Sequence, residues 1–284
     1  MIGQITFNNV TSQSLGLVCK SISRPLLPAI NPRTIEIPGV SGIYDFGAET
    51  HKPRYITMQI AWITTTNYID YRKKVRDVAA WLDTATWLDT ATWADLIIND
   101  EPDKLYKARV VNGVYLESLR KFGRAEVTFE CQPYAYALYS TGTEYTWATA
   151  TFPWMSDLPL DCELSYSGDF TGAGNLVFNN PGTQKINYQS PQGSKFQILI
   201  TGTFTTLTLA LNGKTLNYTE ALASGTLIID NVDMTVYLGS TNKLSVVTGD
   251  YATFLSCIAG ANTLAISGTA LNITVTVDII PMWL

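Results

Sequence analysis

From residue 196 to residue 280, apolar positions recur every second residue in short runs. Phe196, Ile198 and Ile200 share one parity, as do Leu207, Leu209 and Leu211, and as do Ile273, Val275, Val277 and Ile279. A period of two is the mark of a strand with one buried face. Asn212-Gly213 directly follows the second run, and Asn-Gly is the strongest short hairpin signal because both positions tolerate positive φ. Further strands are predicted over 226–230, 234–238 and 262–268. Short strands at this spacing, with no helical period between them, predict an antiparallel β-sandwich of jelly-roll or galectin-like type.

The first half reads differently. ITFNNV (5–10) opens as a strand, and YITMQIAWITT (55–65) forms a long one. Asn67 then offers an N-cap oxygen, and Tyr71, Val75, Val78 and Leu82 follow at helical spacing as a single stripe. Strands near 96–98, 105–111 and 126–131 come after it. This is a β-rich α+β domain, a sheet carrying one helix, so the whole chain is expected to be mainly β. Within and beyond the helix WLDTAT occurs twice in tandem, at 81–86 and 87–92. A period of six turns successive tryptophans off any one helix face, so a duplication that lengthens the helix or its loop explains it better than a stacking ladder.

Composition sharpens the division. At 284 residues the chain has room for roughly two domains. Residues 1–140 carry 15 Lys+Arg against 14 Asp+Glu, whereas 141–284 carry 4 against 10 and hold 23 threonines. All eight arginines fall in the first half. Threonine suits a pleated, half-exposed surface. The domains are therefore assigned as 1–140 and 141–284, with the boundary inside 137–160.

Catalytic chemistry is sought and not found. The single histidine, His51, lies in a polar loop with nothing that ties a nucleophile to it, so a hydrogen-bonding or exposed role is expected. Cys19, Cys131, Cys162 and Cys257 are too dispersed for a zinc site and fit free thiols in a reducing cytoplasm. Asp100, Glu101 and Asp103 lack calcium-loop spacing, and Pro102 between them points to a turn. Arg72, Lys73, Lys74 and Arg76 form a basic run on the helix, read as its solvated face with a subunit contact as the alternative. Tyr134, Tyr136 and Tyr139, with Trp147 and Trp154 beyond, leave two readings open: packing between the domains or a carbohydrate platform. A net charge of -5 argues against a sequence-independent clamp on nucleic acid. No apolar run is long enough to span a membrane, and MIGQITFNN lacks the features of an export signal. No cofactor, metal or catalytic residue is assigned.

Several ordered motifs of the first half are familiar: IPGVSGIYDFG (37–47), PRYITMQI (53–60), the helix with Trp81-Leu82, NDEPDKLYKARV (99–110) and GRAEVTFECQPYAY (123–136). Together they resemble the distal tail (Dit) family of long-tailed bacteriophages. In the second half, GTLIIDN (225–231) and AGANTLAISG (259–268) look like the β-sandwich found in many members. The resemblance singles out Pro38, Gly39, Gly42, Tyr44, Asp45, Asp100, Pro102, Asp103, Tyr106, Gly123, Pro133 and Tyr134 as scaffold positions. Pro38-Gly39 and Gly42 are expected to turn the chain, Asp100, Pro102 and Asp103 to close a hairpin, and Tyr106 to begin the next strand. It implies a structural virion protein made in the host cytoplasm, a homo-oligomer forming a hexameric ring at the tail tip. That ring joins the tail tube protein to the tail-associated spike or lysin protein, with a receptor-binding protein or host glycan as a further partner. DNA passes through its lumen, and nothing inserts in a membrane. The rival readings are a carbohydrate-binding β-sandwich module for host-surface glycans and another baseplate component; a cell-wall hydrolase would need a carboxylate pair that the sequence does not display.

Overall fold

The computed structural model describes residues 3–39, 41–46, 50–63, 68–83, 93–111, 113–119, 122–141 and 166–284. Asn67, the repeat beyond Asp83, Trp147, Trp154 and Cys162 lie outside these residues. The chain divides into two compact units, residues 1–135 and Tyr136–Trp283. The division falls five residues before the one expected from composition. Segment 136–141 belongs with the second unit because Ala137 donates its N–H to Pro281 O at 3.0 Å and Thr141 donates to Ile279 O at 3.0 Å.

In the first unit, β1 (Ile5–Phe7), β2 (Val10–Thr11), β3 (Val18–Ser23), β4 (Ile30–Asn31), β5 (Thr34–Glu36), β6 (Ile43–Asp45), β7 (Thr50–His51) and β8 (Arg54–Ile63) precede helix α1 (Tyr68–Leu82). Then come β9 (Ala94–Ile98), β10 (Glu101–Val110), β11 (Leu116–Leu119) and β12 (Phe122–Cys131). The main sheet runs β2-β1-β9-β10-β12-β8-β3. A bridge between Gly3 and Cys19 joins the chain ahead of β1 to β3, with N–H to O distances of 2.9 and 3.2 Å. The sheet that carries the helix thereby closes into a barrel. Closure leaves no long free edge.

Strict alternation builds the barrel wall. On β8 and β12, Ile56 faces Phe129, Met58 faces Val127 and Ile60 faces Ala125, all buried. Gly123 sits opposite Trp62, where an added Cβ would lie 2.4 Å from the indole ring. Helix α1 buries Tyr71, Val78, Trp81 and Leu82, and Trp81 Nε1 donates to Phe7 O at 3.0 Å.

Two local readings need correction. ITFNNV is a hairpin, not one strand: Asn8 and Asn9 adopt φ of 51° and 62°, the paired left-handed geometry that asparagine tolerates in a tight turn. Likewise Asp100, Pro102 and Asp103 do not together close the next hairpin. Asn99 and Asp100 make the turn, and Pro102 and Asp103 already belong to β10, in a bulge between the Glu101–Ile98 and Tyr106–Leu96 pairs. A bulge leaves the proline without a ladder hydrogen bond to make.

The second unit is a pair of antiparallel sheets. One runs Ser167–Phe170, Asn272–Ile279, Phe196–Thr203, Thr226–Asp230, Thr235–Leu238 and Thr241–Asn242. The other runs Gly174–Asn180, Gly260–Thr269, Thr206–Leu211, Lys214–Tyr218 and Val247–Gly249. The alternating residues read from sequence form its core: Phe196, Ile198, Ile200, Leu207, Leu209, Val275 and Val277 are all buried. The Asn212-Gly213 turn has φ of 48° and 79°. Several polar groups inside this unit are satisfied by asparagine amides, and the buried Asp278 by Ser140 and Lys195. Asn231 accepts from Leu255 N–H at 3.1 Å and Asn262 donates to Gly260 O at 2.8 Å.

Candidate functional site

Between β3 and β8 the chain leaves the barrel as an arm. β4 pairs with β7 at its base and β5 with β6 farther out. Pro38 and Gly39 form the turn at the tip; Gly39 and Gly42 have φ of 88° and 102°, a region where a Cβ would be strained. Asp45 lies opposite Thr34 in the register of the outer pair. The apolar side chains of this hairpin do not form a core. Ile35, Ile37, Ile43, Tyr44 and Phe46 are each 44–64% exposed, and Tyr44 and Phe46 contact one another edge to face at 5.0 Å.

Both feet of the arm rest on one side chain. Tyr106, buried at the middle of β10, has the Arg24 guanidinium 5.5 Å and the Arg54 guanidinium 5.6 Å from its ring centroid. Arg24 is the residue after β3, and Arg54 begins β8. Arg24 also donates to the Tyr106 hydroxyl at 2.8 Å, to Asp100 at 3.0 Å and to Glu101. Arg54 is buried and donates to Pro133 O at 3.0 Å, while its Nε has no acceptor among the described residues. Stacking of a desolvated guanidinium on a tyrosine face contributes on the order of 2 kcal/mol, which offsets part of that cost.

Charge and burial act together here. Burial draws the Arg24 pKa down, but the Tyr106 hydrogen bond and the Tyr106, Glu101 and Asp100 charges outweigh it and the net shift is upward. Burial pushes the Tyr106 phenol up. The Cys131 thiol, on the neighbouring strand, is pushed to about 12 by burial despite both arginines. His51 Nδ1 lies 3.0 Å from the Tyr134 hydroxyl, tying β7 to the segment beyond β12.

The structure thus gathers Asp100, Tyr106, Pro133 and Tyr134 at the arm's root and places Pro38, Gly39, Gly42, Tyr44 and Asp45 along the arm. Gly123, Pro102 and Asp103 stand apart, Asp103 pairing with Lys104 at 3.1 Å. Tyr106 lies within its strand rather than at its start. Arg24 and Arg54 escaped the sequence reading. Arg54 falls within the PRYITMQI motif, but neither arginine is singled out, because the ring between them is contributed by a strand 52 and 82 residues farther on.

A second surface lies on the outward face of β8, β10 and β12. Toward β9 its charges are paired across strands: Asp95 with Lys107 at 2.6 Å and Arg109 with Glu130 at 2.7 Å. Toward β11 the face hollows into a groove of about 520 Å³ lined by Gln59, Tyr115, Glu117, Arg124 and Glu126. Among the described residues no group of His, Cys, Asp or Glu is arranged to hold a metal ion, and no helix is long and apolar enough to cross a membrane. The arrangement offers shape, apolar surface and charge, the means of assembly.

Comparison with known proteins adds two findings. Residues 8–131 match the phage tail protein RIFT-related domain family, a match that runs from the turn after β1 through the arm to the end of β12. Among solved structures, the whole chain aligns with the whole of the SPP1 Dit protein, a paradigm of the hub adsorption apparatus in phages that infect Gram-positive bacteria, with a TM-score of 0.66. At 13% identity that likeness is one of fold. No curated protein matches.

Proposed function

We infer that this chain, with a phage tail RIFT-related domain over residues 8–131 and the fold of a tail hub protein from end to end, is the distal tail hub of a siphophage. The full-length fold likeness carries the reading, because the barrel domain alone would serve other tail components equally well. In this reading the barrel units of six copies close a ring at the tail tip of the virion. The ring joins the tail tube to the spike or lysin protein and lets DNA pass, and the protein is made in the host cytoplasm. The cross-strand pairing of Asp95 with Lys107 and of Arg109 with Glu130 supports a wall that does not hold phosphates, since paired cations have less to offer a passing duplex. The sandwich unit is the platform for a receptor-binding protein or a host glycan.

The hub does no chemistry of its own. His51 is committed to Tyr134, and the thiols of Cys131 and Cys257 are held neutral by burial, each pushed to about 12. The test is assembly. Full-length protein expressed with its tail-tube and spike neighbours should form rings capping tubes in negative-stain micrographs. Failure to associate with any tail protein, together with a cell-wall pull-down by the full chain, would replace the hub reading with the glycan-binding one.

A further inference from the structure

We propose that the edge strand Gly174–Asn180 of the sandwich unit is completed by the same strand of a second copy, the two running antiparallel about a two-fold axis at Val177.

The edge is the first line of argument. A sheet edge is a row of backbone N–H and C=O groups that a further strand can take up, and proteins blunt such edges with short strands, charges, proline or bulges. Three of the four sheet edges of this unit are blunted by length: Ser167–Phe170, Thr241–Asn242 and Val247–Gly249 have four, two and three residues. The fourth, Gly174–Asn180, has seven, with no charge, no proline and an unbroken register against Gly260–Thr269 on its other side. The strand before it, Ser167–Phe170, pairs in the other sheet, so no described strand takes up the free side. Val177, at its middle, is the most exposed large apolar side chain of the unit among the described residues.

The sequence of the strand selects the occupant. Asn175-Leu176-Val177-Phe178-Asn179 reads nearly alike in both directions. Antiparallel pairing about Val177 sets Asn175 opposite Asn179, Leu176 opposite Phe178 and Val177 opposite its own copy. Opposite residues share a face, so the buried Leu176 and Phe178 extend the inner row. Outside, the paired valines are flanked by amides that can donate to and accept from one another.

Charge points to the same place. Residues 141–284 carry 4 Lys+Arg against 10 Asp+Glu, so two copies of this unit repel each other over much of their surface. Gly174–Asn180 and its neighbour Gly260–Thr269 hold no charged residue, and here two copies can approach without like charges meeting. A contact made by one patch on both partners closes at two copies, whereas a ring needs head-to-tail contacts. The inference therefore stands apart from the hub reading.

Two measurements on the full-length chain decide it. In the first, Val177→Cys is oxidised at high protein concentration. Paired strands hold opposite Cα atoms about 4.5–5.5 Å apart, within disulfide reach, so a single dimer band with nothing beyond it is expected. Thr263→Cys, opposite Val177 and one strand inward, stands about 14 Å from its mate and should stay unlinked, as should the parent. In the second, V177K and V177D should each weaken self-association about tenfold in sedimentation, because like charges then face each other. An equimolar mixture of the two should recover to within a few-fold of the parent. The position is exposed, so thermal melting should be unchanged in both variants. No dimer band, equal linking through Thr263→Cys, or a mixture no tighter than either variant alone overturns the inference. So does a Val177→Cys chain that links to a co-expressed tail protein and not to itself, which would assign the edge to a strand of that protein.

Discussion

Among the described residues, nineteen large apolar side chains are exposed in the barrel unit and five in the sandwich unit. The polar groups differ in the same direction. The barrel handles its charge with ion pairs laid across strands and with guanidiniums stacked on Tyr106. The sandwich fills most of its buried polar positions with asparagine, at Asn180, Asn187, Asn231 and Asn262, and pairs its buried Asp278 with Lys195. Amide bonds are short-range and complete within the unit. Apolar surface and unpaired charge are incomplete until something covers them. The contrast teaches that the two halves cover their apolar surface to different degrees: among the described residues the sandwich keeps most of its large apolar side chains inside, and the barrel leaves many of them to solvent.

The sharpest way to break that comparison is to unfold one unit and watch the other. Phe196→Ala empties a fully buried site in the sandwich and should cost about 3–5 kcal/mol. Thiol labelling reads each unit separately, through Cys257 in the sandwich and Cys19 and Cys131 in the barrel, all buried. Labelling of Cys257 should accelerate while that of Cys131 stays at the parent rate. Joint acceleration would show one cooperative block instead of two.

Alkali should strike both units. Each holds a thiol raised from 9.0 to about 12, Cys131 in one and Cys257 in the other. An unfolded thiol ionises near its ordinary value, whereas the folded one stays protonated. The associated stability is complete below pH 9 and is lost as pH rises toward 12. Melting temperatures of both units should fall over that window, and Cys257→Ala should lessen the fall in the sandwich alone.

Smaller effects sharpen the contrast in polar chemistry. Asn231→Ala leaves the Leu255 N–H buried without its acceptor and should cost about 1–3 kcal/mol, read as a lower denaturation midpoint. Tyr106→Phe keeps the ring under both guanidiniums and removes only the hydroxyl that Arg24 reaches, a loss of about 1 kcal/mol. Tryptic cleavage after Arg33 should quicken in that variant, since the arm's root is looser. Lys107→Ala should cost no more than about 1 kcal/mol, because a partly exposed pair is screened by solvent. An effect of several kcal/mol there would mean that the outward face is more deeply buried than its ion pairs imply.

The sandwich was legible because its signals are local. Each alternation names a buried face, Asn212-Gly213 names its own turn, and strands expected over 226–230, 234–238 and 262–268 lie within or a residue from those observed. The barrel hid more. β3, VCKSIS, buries only Cys19 and shows no apolar rhythm. The arm's isoleucines mimic a half-buried strand while facing solvent. Asn8-Asn9 carries a turn signal that the strand-like ITF before it masks. Barrel closure rests on the pairing of Gly3 with Cys19, which no periodicity reveals. At the root of the arm, Asp100, Tyr106, Pro133 and Tyr134 were named through motif, but the roles of Arg24, which reaches Asp100 and Tyr106, and of Arg54, which reaches Tyr106 and Pro133 O, were not. Their meaning depends on a ring distant in sequence.

The placement of Arg24 and Arg54 on either side of Tyr106 has a mechanical consequence. A loop held at two separate points can swivel about the line joining them. Here the base is tied at more than two places: Arg24 also reaches the carboxylates at the turn between β9 and β10, Arg54 reaches Pro133 O, and His51 lies against the Tyr134 hydroxyl. The arm is therefore a cantilever with a clamped base. A load applied near Pro38 bends the hairpin or is carried into the barrel wall, and it does not dissipate as free rotation at a hinge.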